Sequence, residues 1–182
     1  MTDTERWLNE IDQATKAFQS TFGHLTTQQL NWKPNPDKWS IAQNVDHLIQ
    51  INSSYFPVIK AVRERTYKPP LLSRIKMIPR MMGNMILQSS TSDRKRKIVT
   101  FPVWEPSQSN ITPSILKDYA KSQEAFKALI IDTEDLIQQE VIIYSPANKK
   151  IFYPLKYGFN IITTHAWRHF NQAREVLDAM SQ

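Results

Sequence analysis

Cysteine is absent from the 182-residue chain. Its absence excludes disulfide frameworks, thiolate zinc sites and cysteine nucleophiles. It also fits a reducing compartment. Glycine is scarce, with three residues in all. Many-stranded sheets need frequent tight turns, so this scarcity argues against an all-β fold. No long hydrophobic run occurs. The most apolar stretch, residues 75–87, contains Lys76, Pro79, Arg80 and Asn84 and is too short and polar to span a bilayer. The opening residues hold no apolar core of the signal-peptide kind. The expectation is a cytoplasmic protein with no membrane partner.

What remains is an ordinary globular composition. The length suits a single domain over 1–182, long enough to bury a core without covalent help. The formal net charge is +6, enough to favour solubility and mild attraction to anions. One dense basic run stands out, Arg94-Lys95-Arg96-Lys97. It reads either as an anion or nucleic-acid patch or as a solvated loop. No aromatic residues are interleaved to stack on bases, so no nucleic-acid partner is expected.

The periodicity is helical. Trp7, Leu8, Ile11, Ala14 and Phe18 recur at spacings of three and four, marking a first helix from residue 2 or 3 to Phe18. A short helical turn is expected over 26–30. A second helix starts at Ser40, with Gln43 completing a capping box and Trp39 placed as a hydrophobic staple. It runs to about residue 65, with a kink expected before Pro57. Residues 71–90 read as a shorter Met-rich helical segment broken at Pro79, and 91–111 as a long crossover. Thr112 as N-cap and Pro113 as first helical residue open the third long helix, which continues to about Ile131. Residues 132–140 suit a short helix and 141–152 a small hairpin or irregular loop. The last helix covers about 154–180. Four long helices with a long connection between the second and third predict an all-α four-helix bundle.

The last helix carries the sharpest chemical signal. His165 and His169 are four residues apart, so both imidazoles lie on one face, one turn from each other. The same stripe holds Gly158, Ile161, Ile162, Ala173, Val176 and Met180, which turns the pair inward. Buried imidazoles need partners. Either they share a cation, as in helical zinc sites, or they are packed and hydrogen-bonded like other core histidines. The intervening Ala166-Trp167-Arg168 excludes the HExxH arrangement. His47 sits seven residues after the cap of the second helix, on the flank of its apolar stripe. Three neutral imidazoles suit zinc, nickel or iron, and leave coordination positions open for water or substrate.

The block Asn31-Trp32-Lys33-Pro34-Asn35-Pro36-Asp37-Lys38-Trp39-Ser40-Ile41-Ala42-Gln43-Asn44-Val45-Asp46-His47-Leu48 resembles the DinB/YfiT-like superfamily. The shared features are a Trp-Ser-Ile cap followed by a His-Leu pair. The second matching block is His165–Gln172, similar to that family's terminal-helix His-x-x-x-His. The resemblance implies a four-helix bundle with a long crossover. It further implies a nickel, zinc or similar ion bound by His47, His165 and His169. Many relatives carry an acidic residue after the first terminal-helix histidine; this chain has Ala166, Trp167 and Arg168 there, which removes no ligand but gives no basis for carrying over that acid's support of the ligands.

The resemblance implies a metal-dependent enzyme acting on a small molecule, by hydrolysis or by thiol-dependent S-transfer from a low-molecular-weight thiol cosubstrate to an electrophile. Gln43, Asn44, Tyr55 and Gln172 are the candidate second-shell or pocket residues, and Met77, Met81, Met82 and Met85 a candidate apolar lining. The alternative is a non-catalytic bundle protein binding metal or a small ligand in a stress response. A homodimer is one assembly open to such a bundle, and the sequence does not fix the oligomeric state.

Overall fold

The computed structural model describes residues 1–75, 77–91, 100–107 and 110–180. The basic run Arg94–Lys97 therefore lies outside the described residues. Four long helices dominate: α1 (Asp3–Phe22), α3 (Ile41–Arg63), α5 (Ile115–Asp132) and α7 (Leu155–Met180). Shorter pieces connect them: α2 (Thr27–Asn31), α4 (Met77–Ser90), α6 (Glu134–Gln138) and an antiparallel hairpin of β1 (Ile142–Ser145) and β2 (Asn148–Pro154). Helices α1 and α3 each pack on both α5 and α7. The two sequence-adjacent helices α1 and α3 are therefore diagonal partners in the bundle. Among the described residues, no helix is long and apolar enough to cross a membrane.

Local chemistry explains most boundaries. Thr2, Thr26 and Ser40 each close a full capping box, with Glu5, Gln29 and Gln43 reaching back to the cap backbone. Helix α1 runs one turn beyond Phe18 because Phe22 is fully buried and extends the same stripe. Pro57 lies inside α3, which continues as helix on both sides of it.

Two expectations need correction. The third long helix starts at Ile115, with Ser114 at the cap position, and not at Pro113. The Thr112 hydroxyl is spent on the Ser114 hydroxyl, 2.7 Å away, and the Thr112 carbonyl accepts from the Ile115 N–H across a turn. Nor does Pro79 break the Met-rich segment. It is the third residue of α4, in the first turn, where a helix has no use for the missing N–H.

The core has two aromatic-rich clusters along the bundle. One gathers Phe18, Phe22, Tyr119 and Phe170 with Leu30, Ile41 and Val45. The other gathers Trp7, Tyr55, Phe126 and Phe159 with Ile130 and Ile143. Edge-to-face ring pairs such as Phe18–Phe170 add about 0.5–1.5 kcal/mol each beyond simple burial. Gly158 lets α7 approach α3 and the hairpin: a Cβ there would stand 2.9 Å from the Tyr55 ring.

Candidate metal centre

The start of α3 determines where two site residues point. With Ser40 as cap, Asn44 and His47 fall three residues apart on one face, and both are buried. The Asn44 side-chain amide donates to the Ser40 carbonyl at 2.9 Å, so its oxygen is turned outward. That oxygen accepts from His169 Nδ1 at 2.8 Å. The helix cap thus orients an imidazole on another helix.

His47 is oriented by the crossover. Its Nδ1 donates to the Trp104 carbonyl at 2.6 Å. A short 3-10 turn, Pro102–Trp104, presents that carbonyl, and α3 clamps the segment around it. Asp46 Oδ2 accepts from the Ser107 N–H at 2.7 Å, Gln43 Nε2 donates to the Ser107 carbonyl at 3.0 Å, and the Trp104 indole N–H donates to Ser54 Oγ at 3.1 Å. Positions 43, 46, 47 and 54 form one stripe of α3.

These bonds settle the tautomers of two rings. A carbonyl only accepts, so His47 Nδ1 carries the proton; the same holds for His169 Nδ1 facing Asn44 Oδ1. If both rings are neutral, each Nε2 then presents a lone pair. Both lone pairs meet His165 Nε2, at 3.2 Å from His47 and 3.0 Å from His169. Neutrality is strongly favoured. Burial pushes His47 down to about 4 and His165 down to about 3, the latter helped by nearby His47 and Arg168, and burial drives His169 well below the ordinary imidazole value. His165 Nδ1 is buried with no hydrogen-bond partner among the described residues. A proton on His165 Nε2 would serve one neighbouring lone pair well and leave the other facing a donor already used.

A divalent cation would satisfy all three at once. Nitrogens about 2.0–2.1 Å from a zinc-like ion stand roughly 2.9 Å apart at right angles and 3.3 Å apart at the tetrahedral angle. The two spacings here fall in that interval. Among the described residues, this trio alone brings three His, Cys, Asp or Glu ligand atoms together. The donor set is all nitrogen, which suits zinc or nickel over calcium or magnesium.

A model of the DinB superfamily matches residues 10–173. The chain belongs to the DinB superfamily. Among solved structures, this DinB-superfamily chain is similar to YfiT from Bacillus subtilis, described as a probable metal-dependent hydrolase with an unusual four-helix bundle topology. The identity is 16%, the match covers 98% of this chain and 87% of that one, and the TM-score is 0.59. At that identity the likeness speaks for the fold. No curated protein matches the chain.

The other expected site residues separate. Asn44 touches an imidazole directly, whereas Gln43 acts on the crossover backbone. Tyr55 points elsewhere: its hydroxyl bonds Tyr153 at 2.8 Å inside the second core cluster. Gln172 is half-buried one turn past His169. Met77, Met81 and Met85 are exposed and line no interior pocket, while Met82 is half-buried. Sequence reading missed Trp104, Asp46 and Ser54. Nor did it foresee the ring contacts of Trp39, whose indole stacks on His169 with centroids 5.8 Å apart and tilts against His47 at 4.9 Å.

Proposed function

We propose that this DinB-superfamily protein is a metal-dependent enzyme that hydrolyses a small molecule. His47, His165 and His169 hold one divalent transition cation, zinc or nickel. The convergence of three Nε2 atoms, two with their lone pairs directed by hydrogen bonds on the far side of the ring, carries this reading. The description of YfiT agrees with it.

When bound, such a cation lowers the pKa of a ligated water or thiol toward neutrality and polarises an electrophile. The chain's own part is orientation and packing. Asn44 and the Trp104 carbonyl hold two imidazoles as Nδ1–H tautomers, with Nε2 directed to the centre. The Trp39 indole stacks along His169 and tilts against His47, packing one side of the two rings. Three protein ligands leave positions free for substrate.

A second reading, transfer from a low-molecular-weight thiol cosubstrate to an electrophile, is favoured by one observation. No carboxylate joins the trio among the described residues, and the nearby Asp46 carboxylate accepts from the Ser107 N–H and from Gln50 Nε2. A thiol needs less help than water to ionise. The test is a panel of esters, amides and electrophiles offered to zinc- and nickel-loaded protein, with and without small thiols. Turnover that disappears in His169→Ala supports the enzyme. Dependence on thiol selects transfer over hydrolysis. Full metal loading with no turnover of either kind leaves the metal-binding stress protein as the function.

A further inference from the structure

The largest exposed apolar feature lies away from the histidines. Ten large hydrophobic residues are exposed among the described residues, and six of them fall between positions 71 and 85: Leu71, Leu72, Ile75, Met77, Met81 and Met85. The last three repeat every four residues, forming one stripe along α4. The opposite face of α4 is the packed one. There Pro79 and Gly83 are buried, and a Cβ on Gly83 would come within 2.7 Å of the Tyr157 ring of α7. The outward stripe is therefore a ridge on the molecule's surface, not a strained or misplaced core face.

Charge singles out what would cover it. Between Glu64 and Asp93 the sequence holds five Lys or Arg residues and no Asp or Glu. Arg65, Lys68, Arg74 and Arg80 are exposed there. The hairpin strand β2, which packs against α4, adds exposed Lys149 and Lys150. One acid intrudes: Glu140 pairs with Arg80 at 2.8 Å. The remainder is an apolar ridge bordered by positive charge that has no ion-pair partner among the described residues. A second copy docking on this face about a two-fold axis would set the basic border against itself. An anionic lipid surface offers the complement, with headgroups for the border and acyl chains for Leu and Met.

We propose that α4 and the Leu71–Arg74 turn before it form a docking surface for anionic membranes, with the helix lying in the plane of the interface. Lack of a spanning helix says nothing against this, since surface contact needs only one apolar stripe. The proposal stands independently of the metal site, and metal content measured on the same samples keeps the two separate.

The experiment is co-sedimentation of the full chain with vesicles of neutral phosphatidylcholine, or of phosphatidylcholine with about one-third phosphatidylglycerol. Binding to the anionic vesicles alone is expected, weakened by raising salt from about 0.1 to 0.5 M. In Met77→Ser/Met81→Ser/Met85→Ser, binding should fall roughly tenfold or more. Lys68→Glu/Arg74→Glu should weaken it as well. All these positions are exposed, and unchanged circular dichroism and metal content will verify that each variant is folded. Absence of anionic binding in the parent, or undiminished binding in the triple variant, overturns the proposal. So does a parent that light scattering shows to be a dimer and that the triple variant turns into a monomer, for then a second copy covers this face.

Discussion

Two buried polar clusters, both with a member on α3, meet opposite fates. Toward the end of that helix, the Tyr55 hydroxyl meets the Tyr153 hydroxyl inside an aromatic cluster. A hydroxyl can donate or accept, so one of the two donates to the other and the fold itself pairs them, and burial only pushes both phenols further from ionisation. Toward the start, three imidazole Nε2 atoms converge, with the protons of two rings committed to Trp104 and Asn44 on their outer sides. Among the described residues the Nε2 atoms meet one another, and His165 Nδ1 has no hydrogen-bond partner. An unsatisfied buried polar group costs about 1–3 kcal/mol. A protein that closes its polar accounts at one cluster and leaves them open at the other reserves the second for something from outside.

Removing a ligand should produce the largest effect that separates the clusters. His169→Ala is expected to weaken zinc or nickel affinity well beyond a hundredfold, measured by competition with a chelating dye. Tyr55→Phe should leave that affinity unchanged. Equal losses in both would erase the distinction. Next is the orienting bond: Asn44→Ala should cost about 10–100-fold in metal affinity, with isothermal titration as the check. An unchanged affinity would mean that His169 is held by packing alone.

Loading the site should also stabilise the fold. At a free metal concentration of about a hundred times Kd, binding adds about 2.7 kcal/mol, or roughly 5–10 °C in Tm for a chain of this length. Scanning calorimetry with and without metal reads this directly, and no shift would contradict an open polar cluster. The smallest expected effect belongs to the closed cluster: Tyr55→Phe should cost about 0.5–1.5 kcal/mol in urea unfolding.

Acid supplies a further contrast. The unfolded imidazoles titrate near 6.5, while His47 and His165 are lowered to about 4 and 3 in the fold. Between those values the unfolded chain binds more protons. Stability of the metal-free protein should therefore fall as pH drops below about 6.5 and go on falling toward 3. His165→Gln should show a shallower decline in Tm between neutral pH and about pH 5, and an identical decline would argue that this ring is not held neutral.

Much of this was legible in the sequence, because it rests on local rules. A capping box marked the start of α3, and the His165–His169 spacing placed two rings on one face. That His47 would meet them is a matter of helix packing across the bundle, which spacing alone leaves open; the resemblance to the superfamily supplied it. The Trp104 carbonyl could not have been found from side chains, since every residue has one. Trp39 did carry a signal, an aromatic just before the cap, but the same position serves a hydrophobic staple or a cover for neighbouring rings. The exposed methionines misled for a related reason: an apolar stripe at helical spacing looks the same whether it faces a core or a partner.

The most direct test is the metal content of the protein itself, by elemental analysis joined to X-ray absorption at the metal edge. The account predicts about one zinc or nickel per chain, with imidazole nitrogens near 2.0–2.1 Å, and none in His169→Ala. A parent protein that stays metal-free after dialysis against excess zinc and nickel would contradict it.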